Sequence, residues 1–242
     1  MCQEMATILT EKILESVQHY ENFRIPIGVS NRHVHVSRAD LDRLYGKDYA
    51  LTHKSELGQP GQFAANETVT LQGPKGTFEH VRILGPVRSQ SQVEISKTDS
   101  FRLGVKAPIT LSGHLQGTPG ITLVGPRGTV ELPCGVIIAK RHIHMTPAQA
   151  AARHLQDGQI VHVETFGERQ GILGDVVVRV SDTAGLEMHI DVDEANAWKI
   201  KLRGRRLKND AIRLRTRKYK GTEIRSPNRS AGQCRRTLWP YL

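Results

Sequence analysis

From residue 25 to about 132, apolar and polar positions alternate in short runs broken by Gly and Pro: ETVTLQGPKGTF, HVRILGP, APITLSG and GITLVGPRGTVEL. Alternation with a period of two, in segments of about four to six residues between frequent turns, predicts short strands that close into a barrel or sandwich. Helical spacing is confined to three places. Residues 5–18 carry Met5, Ile8, Leu9, Ile13 and Val17, which predicts an amphipathic helix that packs on its own domain or docks onto a partner shell. SRADLDRLYG and TPAQAAARH predict short helices over 37–45 and 146–154, the first capped by Ser37, the second by Thr146 with Pro147 at its first helical position.

The two short helices belong to an internal repeat. GVSNRHVHVSRADLDRLYG resembles GVIIAKRHIHMTPAQAAARHL, each an apolar strand, then Arg-His-aliphatic-His, then a capped helix. A second echo pairs VRILGPVRSQSQVEIS with VVVRVSDTAGLEMHID and sets Glu94 against His189. The expected fold is therefore mainly β: an N-terminal helix within 1–24, two related β-barrel domains over 25–132 and 133–198 with short capping helices, and a basic tail over 199–242.

Charge changes the picture only in that tail. The chain carries a net +10, but residues 199–242 hold 15 Lys/Arg against Asp210 and Glu223. The remainder has 19 basic and 22 acidic residues, a net of −3. Nucleic-acid binding by the whole protein loses its main support, and any such contact falls to the tail, whose self-repulsion and weak apolar periodicity predict disorder. No apolar run approaches the roughly 20 residues of a membrane span, and no secretory signal pattern opens the chain. Three scattered cysteines, Cys2, Cys134 and Cys234, suit a reducing compartment.

Residues i and i+2 of a strand share a face. His33 with His35, and His142 with His144, can therefore each present two imidazoles side by side, a donor type suited to zinc. Glu94 and His189 offer a third ligand for each half, and three protein ligands with an open position is the pattern of catalytic zinc. Lys75, Arg82 and Arg88 add cations on the approach to Glu94, and a guanidinium beside a metal suits an oxyanion such as phosphate.

SNRHVHVS, SELGQPGQFAANETV, GPKGTFEHVRILGPVR, QVEIS, SGHLQGTPGI, AKRHIHMTP and GLEMHIDVDEAN together resemble the PduL-type phosphotransacylases, or phosphate propanoyltransferases, from about residue 25 to 196. The resemblance implies two β-barrels with a two-zinc site and the interconversion of a short-chain acyl-CoA, propanoyl-CoA or acetyl-CoA, plus phosphate with acyl phosphate plus coenzyme A. It implies His33, His35 and Glu94 as ligands of one zinc, and His142, His144 and His189 as ligands of the other. Arg88 falls where the family binds phosphate; Val29, Ser30, Asn31, Lys75, Arg82 and Asn196 fall where it contacts coenzyme A. It further implies a cytoplasmic enzyme or one enclosed in a bacterial microcompartment, in a propanediol-degrading context, with shell proteins or further copies of itself as partners. After Asn196 the chain departs from the family pattern of a turn and a last apolar strand, which predicts an unpaired edge in the second barrel. Two rivals stand beside this reading: a two-metal thioester or phosphoester hydrolase, and a non-enzymatic protein in which metal joins the barrels and the tail binds nucleic acid.

Overall fold

The computed structural model describes residues 24–200 and 211–215, with the single helical position Thr10. The helix expected over 5–18 otherwise lies outside the described residues, as does most of the tail.

Two β-systems carry the fold. One is an open nine-stranded sheet. Its order is β7 (Ile109–Thr110), β10 (Val136–Ala139), β6 (Gln92–Glu94), β2 (His33–His35), β5 (Thr77–Gly85), β4 (Phe63–Gln72), β8 (Ile121–Val124) and β9 (Thr129–Leu132), with β3 (His53–Glu56) added on β4. The other is a closed barrel of β1 (Ile25–Ser30), β14 (Glu187–Asp191), β11 (His142–Met145), β13 (Gly171–Val180), β12 (Ile160–Thr165) and β15 (Ala211–Arg215), which returns to β1. Each has its own apolar core: Val34, Leu41, Leu71 and Ile83 among others in the sheet, and Ile25, Ile143, Met188 and Ile212 among others in the barrel.

Two expectations are corrected. The strands between residues 33 and 132 lie in an open sheet rather than a barrel, because β7 and β9 leave its edges unpaired among the described residues. Both leading strands pair outside the stretch that carries their His-x-His strand. β1 belongs to the barrel, pairing parallel with β14 and antiparallel with β15. β10, expected in the second unit, belongs to the sheet, pairing parallel with β6 and β7. In each case only two residues, Asn31 and Arg32 or Lys140 and Arg141, separate the leading strand from its His-x-His strand. A parallel crossover within one sheet needs a dozen residues or more, and the short link instead passes the chain from one β-system to the other. Finally, the tail is not wholly without structure. Ala211–Arg215 pairs with β1 and β12, buries Ile212 completely and closes the barrel edge that the sequence left open.

Four short helices are described: α1 (Arg38–Tyr45), α2 (Lys97–Leu103), α3 (Pro147–Ala151) and α4 (Val192–Ala197). Ser37 and Thr146 cap α1 and α3 as the sequence predicts. The helices α2 and α4 start from capping boxes, Ser96 with Asp99 and Asp191 with Glu194, which satisfy the free N–H groups of the first turn. Both box acids have a second task. Asp99 takes a two-pronged ion pair from Arg32 (3.0 and 2.7 Å), and Glu194 one from Arg141 Nε at 2.7 Å. The Arg of each Arg-His-x-His motif is thus tied to the helix that follows the third candidate ligand. No helix among the described residues is long and apolar enough to cross a membrane.

Candidate metal centre

The strand pairing brings the six predicted ligands into two groups. In the sheet, β2 runs antiparallel to β6 with His33 opposite Glu94. In the barrel, β11 runs antiparallel to β14 with His142 opposite His189. His33, His35 and Glu94 present one ligand atom each, all within 4.8 Å of one another, and so do His142, His144 and His189. His33 Nε2 lies 3.4 Å from Glu94 Oε2, and the Nε2 atoms of His142 and His144 face each other at 3.1 Å. Ligand atoms about 2.0–2.1 Å from a tetrahedral ion stand about 3.3–3.4 Å apart, so both separations are close to a ligand edge. The three barrel imidazoles stand with centroids 4.7–5.1 Å apart and planes steeply inclined.

Backbone carbonyls set the ring orientations. His33 Nδ1 lies 2.8 Å from Asn31 O, and His142 Nδ1 lies 2.8 Å from Lys140 O. A carbonyl only accepts, so Nδ1 carries the proton and Nε2 keeps its lone pair. His35 faces Glu94 with Nε2, 4.0 Å from Oε1, and has the Leu84 backbone as a further polar neighbour.

Electrostatics keep most of these groups in metal-ready forms. Burial, then His33 and Arg88, holds the pKa of His35 well below the usual imidazole value. Burial and the neighbouring His189 lower His142 to about 4; burial with His142 and His189 lowers His144 to about 3. These rings are neutral at pH 7. Burial alone would raise the Glu94 carboxyl, but His33, His35 and Arg88 outweigh it and hold it well below the usual carboxylate range. For His33, burial works downward and is overcome by Glu94 and the Asn31 carbonyl, which leaves it raised.

Arg88 follows β5, its N–H donating to Val36 O at 2.9 Å and Nη1 to Ser112 Oγ at 3.1 Å. Burial and Arg179 lower its pKa, and Glu94 opposes them. Arg179 was not picked out from the sequence. It stands in register beside His144 on β13 and is felt by Arg88, His142 and His144, so the space around the two groups holds a second guanidinium. Val29, Ser30 and Asn31 form the end of β1 and the link into His33. Arg82 is in register with His33, but its Nη1 is held by the carbonyls of Ala65 and Asn66. Lys75 is exposed in the β4–β5 turn over Gly104, and Asn196 is exposed near the end of α4. Asn31 touches His33 through its carbonyl, Val29 and Ser30 pair with Ile190 and Asp191 beside His189, and Lys75 and Asn196 are surface positions. Cys134 is in neither cluster; its polar contact is with Gln90 at 3.8 Å.

Two further residues escaped the sequence reading although each lies two positions before a candidate ligand, on the same strand face. Gln92 Nε2 donates to Glu94 Oε1 at 2.5 Å, and Glu187 Oε2 lies 2.9 Å from His189 Nε2.

Comparison with known proteins places the chain in a family. Residues 26–201 match the family described as phosphate propanoyltransferase. The chain is 53% identical over 196 residues to the phosphate propanoyltransferase of Thermotoga maritima, covering 78% of this chain and 93% of that protein. It is 52% identical over 179 residues to that of Rhodopseudomonas palustris (74% and 79%) and 49% identical over 198 residues to that of Salmonella typhimurium (81% and 92%).

Proposed function

The chain belongs to the phosphate propanoyltransferase family, and on that premise we propose that it moves a short acyl group, propanoyl or acetyl, between coenzyme A and phosphate at a two-zinc site. The observation that carries the metal part is the pair of three-donor groups, His33/His35/Glu94 and His142/His144/His189. The donors fit zinc: imidazole nitrogens with one carboxylate, carbonyl-oriented rings, and three protein ligands each. Zinc bound there supplies a Lewis acid for the thioester carbonyl and for charge on the departing thiolate.

The chain's own residues do the rest. Arg88, partly buried and braced by Ser112, binds phosphate through its planar fork and turns one oxygen toward the acyl carbon. That oxygen forms the new bond to the carbonyl carbon, the carbon–sulfur bond breaks, and the thiolate leaves with coenzyme A. Holding both substrates removes much of the entropic barrier to their meeting. The cationic surroundings of Arg88 and Arg179 favour the negative charge that develops. Val29, Ser30, Asn31, Lys75, Arg82 and Asn196 are the proposed coenzyme A contacts. With Cys134 outside both clusters, transfer proceeds directly, without an acyl-enzyme.

The test is metal analysis of the full chain together with coenzyme A release from propanoyl-CoA and acetyl-CoA, with and without phosphate. Two zinc ions per chain and release that requires phosphate and yields acyl phosphate are expected. Equal release without phosphate makes the protein a thioester hydrolase and refutes the transfer reading.

A further inference from the structure

The third candidate ligand differs between the two halves: a carboxylate, Glu94, in the sheet and an imidazole, His189, in the barrel. The residue two positions earlier on the same strand differs as well, Gln92 in the first and Glu187 in the second. The two differences compensate. A carboxylate needs a donor, and Gln92 supplies one. Its amide orientation is set by Gly113 N–H, which donates to Gln92 Oε1 at 2.8 Å and so turns Nε2 toward Glu94 Oε1. An imidazole with a free N–H needs an acceptor, and Glu187 supplies one: Oε2 lies 2.9 Å from His189 Nε2. Because a carboxylate only accepts, Nε2 carries the proton and the lone pair of His189 is on Nδ1.

The surroundings of Glu187 are shaped to hold this carboxylate. Gly28 lies in register beside His189, and a Cβ there would stand 2.8 Å from Glu187 Cδ. Gly58, in the loop between β3 and β4 of the other β-system, approaches closer still: a Cβ would stand 2.0 Å from Glu187 Oε2 and 2.6 Å from Cδ. That loop is fixed on the barrel by its next residue. Gln59 Nε2 donates to Gly185 O at 3.0 Å, and Gly185 N donates to Gln59 Oε1 at 3.2 Å.

We propose that Glu187 is a positioning residue for the second metal site, selecting the His189 tautomer and ring orientation, and that Gly58 exists without a side chain so that the SELGQPG loop can seat its carboxylate. The proposal rests on the two-zinc reading. It assigns that loop a function: the sheet reaches across and fixes a ligand of the barrel. It also evens the charge of the two sites. Each set of three ligands plus its supporting side chain contains one carboxylate, as a ligand in the sheet and behind a ligand in the barrel.

Chelator competition on the zinc-loaded full chain tests this, reading each ion's affinity rather than turnover. His189→Ala identifies the competition step that belongs to the second site. Glu187→Ala is expected to weaken that same step about 10–100-fold and leave the other step unchanged. Glu187→Gln, whose amide oxygen still accepts from Nε2–H, restores most of the loss. Gly58→Ala, which alters no group of the barrel, reproduces the Glu187→Ala pattern by displacing the carboxylate, and it keeps the test open if Glu187→Ala does not fold. Wild-type affinity at both steps in Glu187→Ala and Gly58→Ala overturns the proposal while leaving the two-zinc reading intact; equal weakening of both steps also overturns it. A wild-type chain that binds no zinc overturns the two-zinc reading itself.

Discussion

Replacing Ile212 by alanine tests whether the basic segment after residue 200 really completes the barrel. Ile212 is fully buried, in register with Ile25 on β1 and Thr165 on β12, within a core that includes Val163, Met188 and the partly buried Trp198. The change removes three carbons. At about 0.8 kcal/mol each, the transfer loss is roughly 2.4 kcal/mol, and the cavity left between two strands brings the total to about 3–4 kcal/mol, within the usual 2–5 for such truncations. Urea unfolding, followed by Trp198 fluorescence in a Trp239→Phe background, reads the barrel core. With a slope of about 3 kcal/mol per molar, the midpoint falls by about 1 M. Ile172→Ala serves as control: Ile172 is 47% exposed on β13, and its loss is expected to cost no more than about 0.5 kcal/mol. An Ile212→Ala midpoint equal to that of the control refutes the closing role of β15.

Arg88→Ala is expected to raise the KM for phosphate about 10–150-fold, the loss of about 1.5–3 kcal/mol of charge-assisted hydrogen bonding, with a smaller effect on the KM for acyl-CoA; unchanged phosphate kinetics rejects its assigned role. Glu67 accepts from Tyr49 Oη (3.0 Å), Thr52 N (3.0 Å) and Thr52 Oγ1 (2.7 Å). Burial pushes its pKa up, but these hydrogen bonds outweigh it and leave it below the ordinary 4.5. The folded state thus prefers the ionised form, a stabilisation present above pH 4.5 and lost as pH falls through the folded value. Melting temperatures of wild type and Glu67→Gln should differ most at neutral pH and converge in acid, and a gap that widens in acid contradicts this.

The candidate ligands were legible because duplication repeats the signal. One His-x-His is ambiguous, while two in matching contexts, each with a later polar residue at an equivalent place, fix a pattern. The supporting residues were written in the same spacing, Gln92 before Glu94 and Glu187 before His189, but an amide or carboxylate on a strand reads as ordinary surface until its partner is known. The capping boxes of α2 and α4 were readable in the same way and were masked by the short length of each helix. The exchange of β1 and β10 was not legible, since alternation reports which face of a strand is buried and not which strand lies beside it. In AIRLR the period of two is present, with Ile212 and Leu214 toward the core, but the surrounding charge hid it.

The placement of β1 has a consequence for the order in which the molecule can be completed on the ribosome. Synthesis runs from the N-terminus, so β2, β6 and β10, and with them the His33, His35 and Glu94 group, are all available once residue 139 has emerged. The strand made before any of them, β1, must wait for β14 and β15. Long-range closures of this kind are slow steps in folding. No nascent chain shorter than 215 residues can hold the complete barrel, and the earliest of the described strands to leave the ribosome is among the last to find its neighbours.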